Sequence, residues 1–112
     1  MEATPMINSS MLPSFRGKTV RVVGKVEKVV DTLLLLQTSD LGVIEVHLSL
    51  DTVVSANTYI EVIGKVSDSG DQLREFTTVQ FGESLDLNLV EQAVQVSAKY
   101  PEIFSAGGEG ES

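Results

Sequence analysis

Side chains able to carry a reaction are few in this chain, and each stands in a pattern that lacks the rest of its chemistry. Gly17-Lys18-Thr19 has the ending of a phosphate-cradling loop. Five residues earlier, where that loop needs its first glycine, stands Leu12, and the residues after Thr19 alternate like a strand where a helix should open. His47 is the only histidine, on the polar side of an alternating stretch beside Glu45, so it reads as a solvated side chain and not as a metal ligand or general base. Serines are plentiful, but no Gly-x-Ser-x-Gly elbow presents one, and a single histidine is the only base on offer. Asp68, Gly70 and Asp71 lack the ligand spacing of a calcium loop, and turn chemistry accounts for them. With no cysteine there is neither a disulfide nor a thiolate metal site. The expectation is a protein that is not an enzyme and needs no cofactor or metal.

Binding is the remaining chemistry. Sixteen Asp and Glu against eight Lys and Arg give a net charge of −8, which opposes a polyanion because affinity for nucleic acid grows with the number of phosphates neutralised. Five of the eight bases, Arg16, Lys18, Arg21, Lys25 and Lys28, nevertheless fall within residues 16–28. Arg21, Lys25 and Lys28 are therefore the candidate nucleic-acid contacts. Single strands also need exposed rings to stack on. Of the aromatics, Phe15, Tyr59, Phe76, Phe81, Tyr100 and Phe104, most sit where core packing or strand pairing would use them.

The element with most to position is a helix expected over residues 86–100. At about 100° per residue, Leu87, Leu89, Val90, Ala93, Val94, Val96, Ala98 and Tyr100 fill one arc of roughly 200°, with Asn88, Glu91, Gln92, Gln95 and Lys99 on the remainder. A helix covering one core needs about half that width. The surplus points to a second surface from another chain, so Leu87, Leu89, Val90, Ala93, Val94, Val96 and Tyr100 are the candidate partner interface. Two edges share the arc, Leu89, Ala93, Val96 and Tyr100 on one and Leu87, Val90, Val94 and Ala98 on the other, and the sequence leaves open which faces outward.

Ahead of that helix the pattern is all strand. Asn8, Ser9 and Ser10 can cap one short helical turn that ends near Pro13. Lys18–Val30 reads as a strand with Val20, Val22, Val26 and Val30 of one parity and a bend at Gly24. Leu33–Gln37 reads as a strand buried on both faces, and Ile44, Val46, Leu48 and Leu50 alternate with Val43, Glu45, His47 and Ser49 in a third. Tyr59–Val66 and Leu73–Phe81 complete five. Val22-Val23-Gly24-Lys25-Val26 and Val62-Ile63-Gly64-Lys65-Val66 are near copies, two bends suited to closing a barrel. The expected class is therefore an all-β, five-stranded OB-like barrel with a C-terminal α-helix, ordered over residues 7–104 between disordered tails at 1–6 and 105–112. The longest apolar run, Leu33–Leu36, is too short to span a membrane, and a soluble intracellular protein is expected.

Three stretches carry a family resemblance: Ile7-Asn8-Ser9-Ser10-Met11-Leu12 with Phe15 and Val23-Gly24-Lys25-Val26-Glu27-Lys28; Tyr59 through Val66; and Val79-Gln80-Phe81-Gly82 with Asp86-Leu87-Asn88-Leu89 and Tyr100-Pro101. In this order and spacing they resemble the smallest-subunit family of replication protein A, the eukaryotic heterotrimer that binds single-stranded DNA. The resemblance implies a nuclear, structural subunit serving DNA replication, repair and recombination. It also implies that the terminal helix joins one helix from each of two larger OB-fold subunits in a three-helix bundle, and that single-stranded DNA is held mainly by those partners. The connection after the third strand, short and acidic at Asp51, departs from the family's pattern. Two alternatives stay open: the small OB-fold subunit of another single-strand assembly, such as the telomere-capping trimer, or an independent, weak single-strand-binding module.

Overall fold

The computed structural model describes residues 4–99. Five strands, β1 (Thr19–Val30), β2 (Leu33–Thr38), β3 (Val43–His47), β4 (Tyr59–Val66) and β5 (Gln72–Gly82), close into a barrel in the order β1-β2-β3-β5-β4, and α1 (Leu87–Lys99) follows. All neighbours are antiparallel except β3 and β5, which run parallel over Glu45–His47 and Gln72–Arg74. The expected OB-like barrel with a terminal helix is what the chain forms.

Closure depends on two glycines. β1 pairs with β2 on one side and β4 on the other, and at Gly24, opposite Thr38 and Ile60, a Cβ would stand 2.2 Å from the Gln37 carbonyl oxygen. Gly64 is its counterpart in β4, where a Cβ would stand 2.2 Å from the Arg74 carbonyl oxygen. Each lets a neighbouring backbone cross at a distance no side chain allows. Inside, Val20, Val22, Val26, Leu34, Leu36, Val46, Ile60, Val62, Val66 and Leu73 are fully buried, and Ile7 and Leu12 from ahead of β1 join the same core.

Several expectations change. A bulge between Val26 and Lys28 inserts Glu27 and reverses the parity of β1 beyond it, so Val29 packs on the core and Val30 is 51% exposed. β2 is buried on one face only: Leu34, Leu36 and Thr38 point in, and Leu33, Leu35 and Gln37 are half-buried. β3 ends at His47, so Leu48 is still buried but Leu50 is 90% exposed. The first turn is a 3-10 helix, η1 (Ser9–Phe15), that runs through Pro13 and does not stop there. Proline's fixed φ near −65° suits 3-10 geometry, and so short a segment loses little with one missing N–H. At the expected N-terminal tail, Pro5 O accepts from Arg21 N at 2.8 Å and Ile7 N donates to Arg21 O at 2.9 Å, a short parallel pairing on β1. Tyr100 and the tail at 105–112 lie outside the described residues.

Candidate functional site

The chain around α1 builds the candidate site. Asp86 caps the helix, its Oδ1 accepting from Asn88 N at 2.9 Å. On the inward side Val94 is fully buried, with Leu87, Val90 and Ser97 half-buried at helical spacing around it. Between them lies Glu91, which sequence reasoning put on the polar remainder of the helix. Its carboxylate accepts from Asn8 Nδ2 at 3.1 and 3.2 Å, from Ser39 Oγ at 2.7 Å, and from Gln95 Nε2 at 2.7 Å. Burial pushes the Glu91 carboxyl up, but the bonds from Ser39, Gln95 and Asn8 outweigh it and hold the group below the ordinary glutamate range.

That contact belongs to a larger polar junction. Asn8 and Ser39 are themselves buried, and Asn8 Oδ1 caps η1 by accepting from Met11 N at 3.3 Å. Asp40, in the β2–β3 turn, accepts from Ser9 Oγ at 2.8 Å, Ser10 N at 3.1 Å and Gly42 N at 3.3 Å, and also from the Thr38 hydroxyl. Thr38 Oγ1 in turn accepts from Ser9 N at 3.0 Å. Burial raises the Asp40 carboxyl, but these donors, Thr38 first, outweigh it and leave the group below the ordinary aspartate range. The start of the chain, one barrel turn and the terminal helix are thus tied together, which fixes the direction in which the helix's other side faces.

That other side is open. Leu89 is 62% and Val96 44% exposed, and Ala93 lies exposed between them. The candidate interface set therefore divides: Leu87, Val90 and Val94 are taken up by the chain's own packing, Leu89, Ala93 and Val96 face outward at i, i+4, i+7 spacing, and Tyr100 lies outside the described residues. Ala98, which the sequence put on the edge of Leu87, Val90 and Val94, is exposed as well.

The candidate nucleic-acid residues do not form an open groove. Arg21 Nη1 stands 3.7 Å from Glu61 Oε2, and Arg21 Nε donates to the Thr4 carbonyl at 3.2 Å. Lys25 shares its parity on β1, but Val23 between them is only 4% exposed. Lys28 is exposed past the bulge, with the exposed Glu27 next to it. The outer face of β2–β3, where OB barrels commonly take single strands, carries Leu33, Leu35 and Gln37 opposite His47, Glu45 and Val43. It has no lysine, arginine or aromatic ring. Lys18 and Thr19 lead into β1, and Gly17, with φ 73°, donates its N–H to the Val66 carbonyl at 2.9 Å, so the phosphate-loop likeness is only a turn.

Comparison with known proteins agrees with this geometry. The family model described as "Replication factor A protein 3" matches residues 1–104. Replication factor A protein 3 of Schizosaccharomyces pombe is 34% identical over 102 residues, covering 90% of this chain and 94% of the yeast protein. A solved structure of Ustilago maydis replication protein A bound to single-stranded DNA contains a chain 49% identical with a TM-score of 0.89, covering 94% of this chain and 98% of that one. The S. pombe Stn1–Ten1 complex matches at a TM-score of 0.71 but 14% identity, over 87% of this chain and 93% of that one, a likeness of fold alone. The chain belongs to the replication factor A protein 3 family, the smallest, non-enzymatic subunit of replication protein A.

Proposed function

We propose that this chain holds the single-stranded-DNA-binding heterotrimer together through the outward face of α1, with Leu89, Ala93 and Val96 packing against one helix from each of the two larger subunits. The carrying observation is the division of the apolar arc: one edge is turned into the chain's own packing, and the other is uncovered. Heptad-like i, i+4, i+7 spacing is the seam of a helical bundle. DNA capture falls mainly to the partners, since the β2–β3 face lacks the cations and rings a single strand needs. The subunit thereby serves nuclear DNA replication, repair and recombination. A telomeric assignment has only likeness of fold behind it.

The test separates assembly from folding. Leu89→Asp with Val96→Asp leaves the barrel folded by circular dichroism but abolishes co-purification with the larger subunits, because an unpaired carboxylate buried in an interface costs about 3–5 kcal/mol, on the order of a thousandfold in affinity. Val90→Asp with Val94→Asp instead loosens the helix from the barrel. A trimer that survives the Leu89/Val96 pair intact overturns the proposal.

A further inference from the structure

Two cations outside the basic stretch, Lys65 and Arg74, stand with the histidine His47 in one row across the barrel. His47 on β3 is the register partner of Arg74 on β5, and Arg74 is the register partner of Lys65 on β4. With strands about 4.8 Å apart, the three side chains span about 10 Å on adjacent strands. All three are exposed and line one open cleft of about 670 Å³, with Ser49 and Ser67 on its walls. Among the described residues neither Lys65 nor Arg74 has a carboxylate at ion-pair distance, although Asp68 also lines the cleft. The other nearby acids accept hydrogen bonds from neighbouring side chains. Glu45 Oε1 accepts from Gln72 Nε2 at 2.9 Å, Asp71 takes the Ser67 and Ser69 hydroxyls, and Glu75 is buried on Ser49, Thr52 and Thr78. Two residues beyond Arg74, at the bulge between Glu75 and Thr77, Phe76 is 55% exposed. An exposed lysine and arginine on adjacent strands, with an exposed ring two residues along β5, offer what a single strand uses, phosphates on the cations and a base stacked on the ring.

We infer that the His47–Arg74–Lys65 row with Phe76 is a secondary contact surface for the backbone of single-stranded nucleic acid. It crosses β3, β5 and β4, meets β2 only where His47 pairs with Leu33, and includes none of Arg21, Lys25 and Lys28. A ring beside the cations favours nucleic acid over an acidic peptide, which would need only the charges. The inference depends on the assembly proposed above only for bringing a strand near this surface.

The assembled heterotrimer, bound to an oligothymidylate carrying iodouracil, tests it by photo-crosslinking to this chain and by the salt dependence of binding. Trimer integrity is checked first by gel filtration, so failure of assembly is seen separately from failure of the contact. Lys65→Ala with Arg74→Ala is expected to lower the crosslink at least fivefold and to flatten the slope of log K against log salt by about 0.7 per cation removed. Phe76→Ala should lower the crosslink without changing the slope. Arg21→Ala with Lys25→Ala, the control, should change neither. An unchanged crosslink and slope in the Lys65/Arg74 variant overturns the inference. So does polyglutamate competing for the crosslink as well as unlabelled oligothymidylate at equal charge, which would assign the row to an acidic peptide.

Discussion

Removing the Glu91 carboxylate leaves two buried donors, Asn8 Nδ2 and Ser39 Oγ, without their acceptor. Such orphans cost about 1–3 kcal/mol, so Glu91→Ala should release α1 while the barrel stays folded. Hydrogen exchange would show it as faster exchange over Leu87–Lys99 with core-strand amides still protected, and uniform protection would refute it. Glu75 has the same role elsewhere. It accepts from Ser49 N at 2.9 Å, from Thr52 Oγ1 at 2.8 Å and from Thr78 Oγ1 at 2.5 Å, pinning the β3–β4 connection to β5. Burial raises its carboxyl and the Thr78, Ser49 and Thr52 donors more than reverse that, as at Asp40 and Glu91. Each folded-state pKa lies below the ordinary value, 3.8 for aspartate and 4.5 for glutamate, so the stability they give is complete above those values and is lost as pH falls through the lowered ones. Urea unfolding from neutral pH into the acid range should show that loss, and Glu75→Gln should be less stable at neutral pH with a shallower acid limb. None of these roles was legible in the sequence. A carboxylate on the polar side of a helix looks solvated, and its donors Asn8 and Ser39 are far away along the chain.

Strands are where the sequence was most readable, and glycine shows why. Both near-copy segments put Gly24 and Gly64 at the points where neighbouring backbones cross, and there a glycine is required whatever the surrounding pattern. Gly24→Ala or Gly64→Ala drives a methyl into a carbonyl oxygen of an adjacent strand, which only backbone movement can relieve, and should cost about 3 kcal/mol or more. Gly82→Ala is the contrast. Its Cβ would meet nothing within 4 Å, so only the φ of 91° is strained, a penalty of about 1–2 kcal/mol. Thermal denaturation of the three variants would rank them, and equal losses would mean that backbone conformation, not crossing distance, selects glycine. Alternation also located β3 and β4 correctly, yet it misassigned Val30 and Leu50. A bulge such as the one at Glu27 is set by how two strands meet, and where β3 ends is set by its partners, neither of which a period of two within one strand contains. The helix's two edges were legible as an arc; which edge turned inward was not, because the Glu91 junction decides it.

For the molecule as a whole, two forces oppose each other. The net charge of −8 keeps copies apart, while Leu89, Ala93 and Val96 present an apolar stripe that no part of the described chain covers. Of the other exposed apolar residues, Leu41, Leu50 and Val53 sit in turns and loops, and Val30, Val43, Phe76, Val79 and Phe81 lie on three strands, β1, β3 and β5. The isolated chain should therefore self-associate through α1 in a concentration-dependent way, and the response to salt identifies the force. Screening weakens repulsion between like-charged copies and leaves apolar burial intact, so raising the ionic strength should strengthen association, whereas ion pairing between copies would weaken with salt. Leu89→Asp with Val96→Asp should yield a monomer at every salt concentration. Sedimentation of the wild-type chain as a monomer across a wide concentration range at high salt would show that the stripe is too small to act on its own, and would leave the larger subunits' helices to supply most of the apolar surface in the bundle.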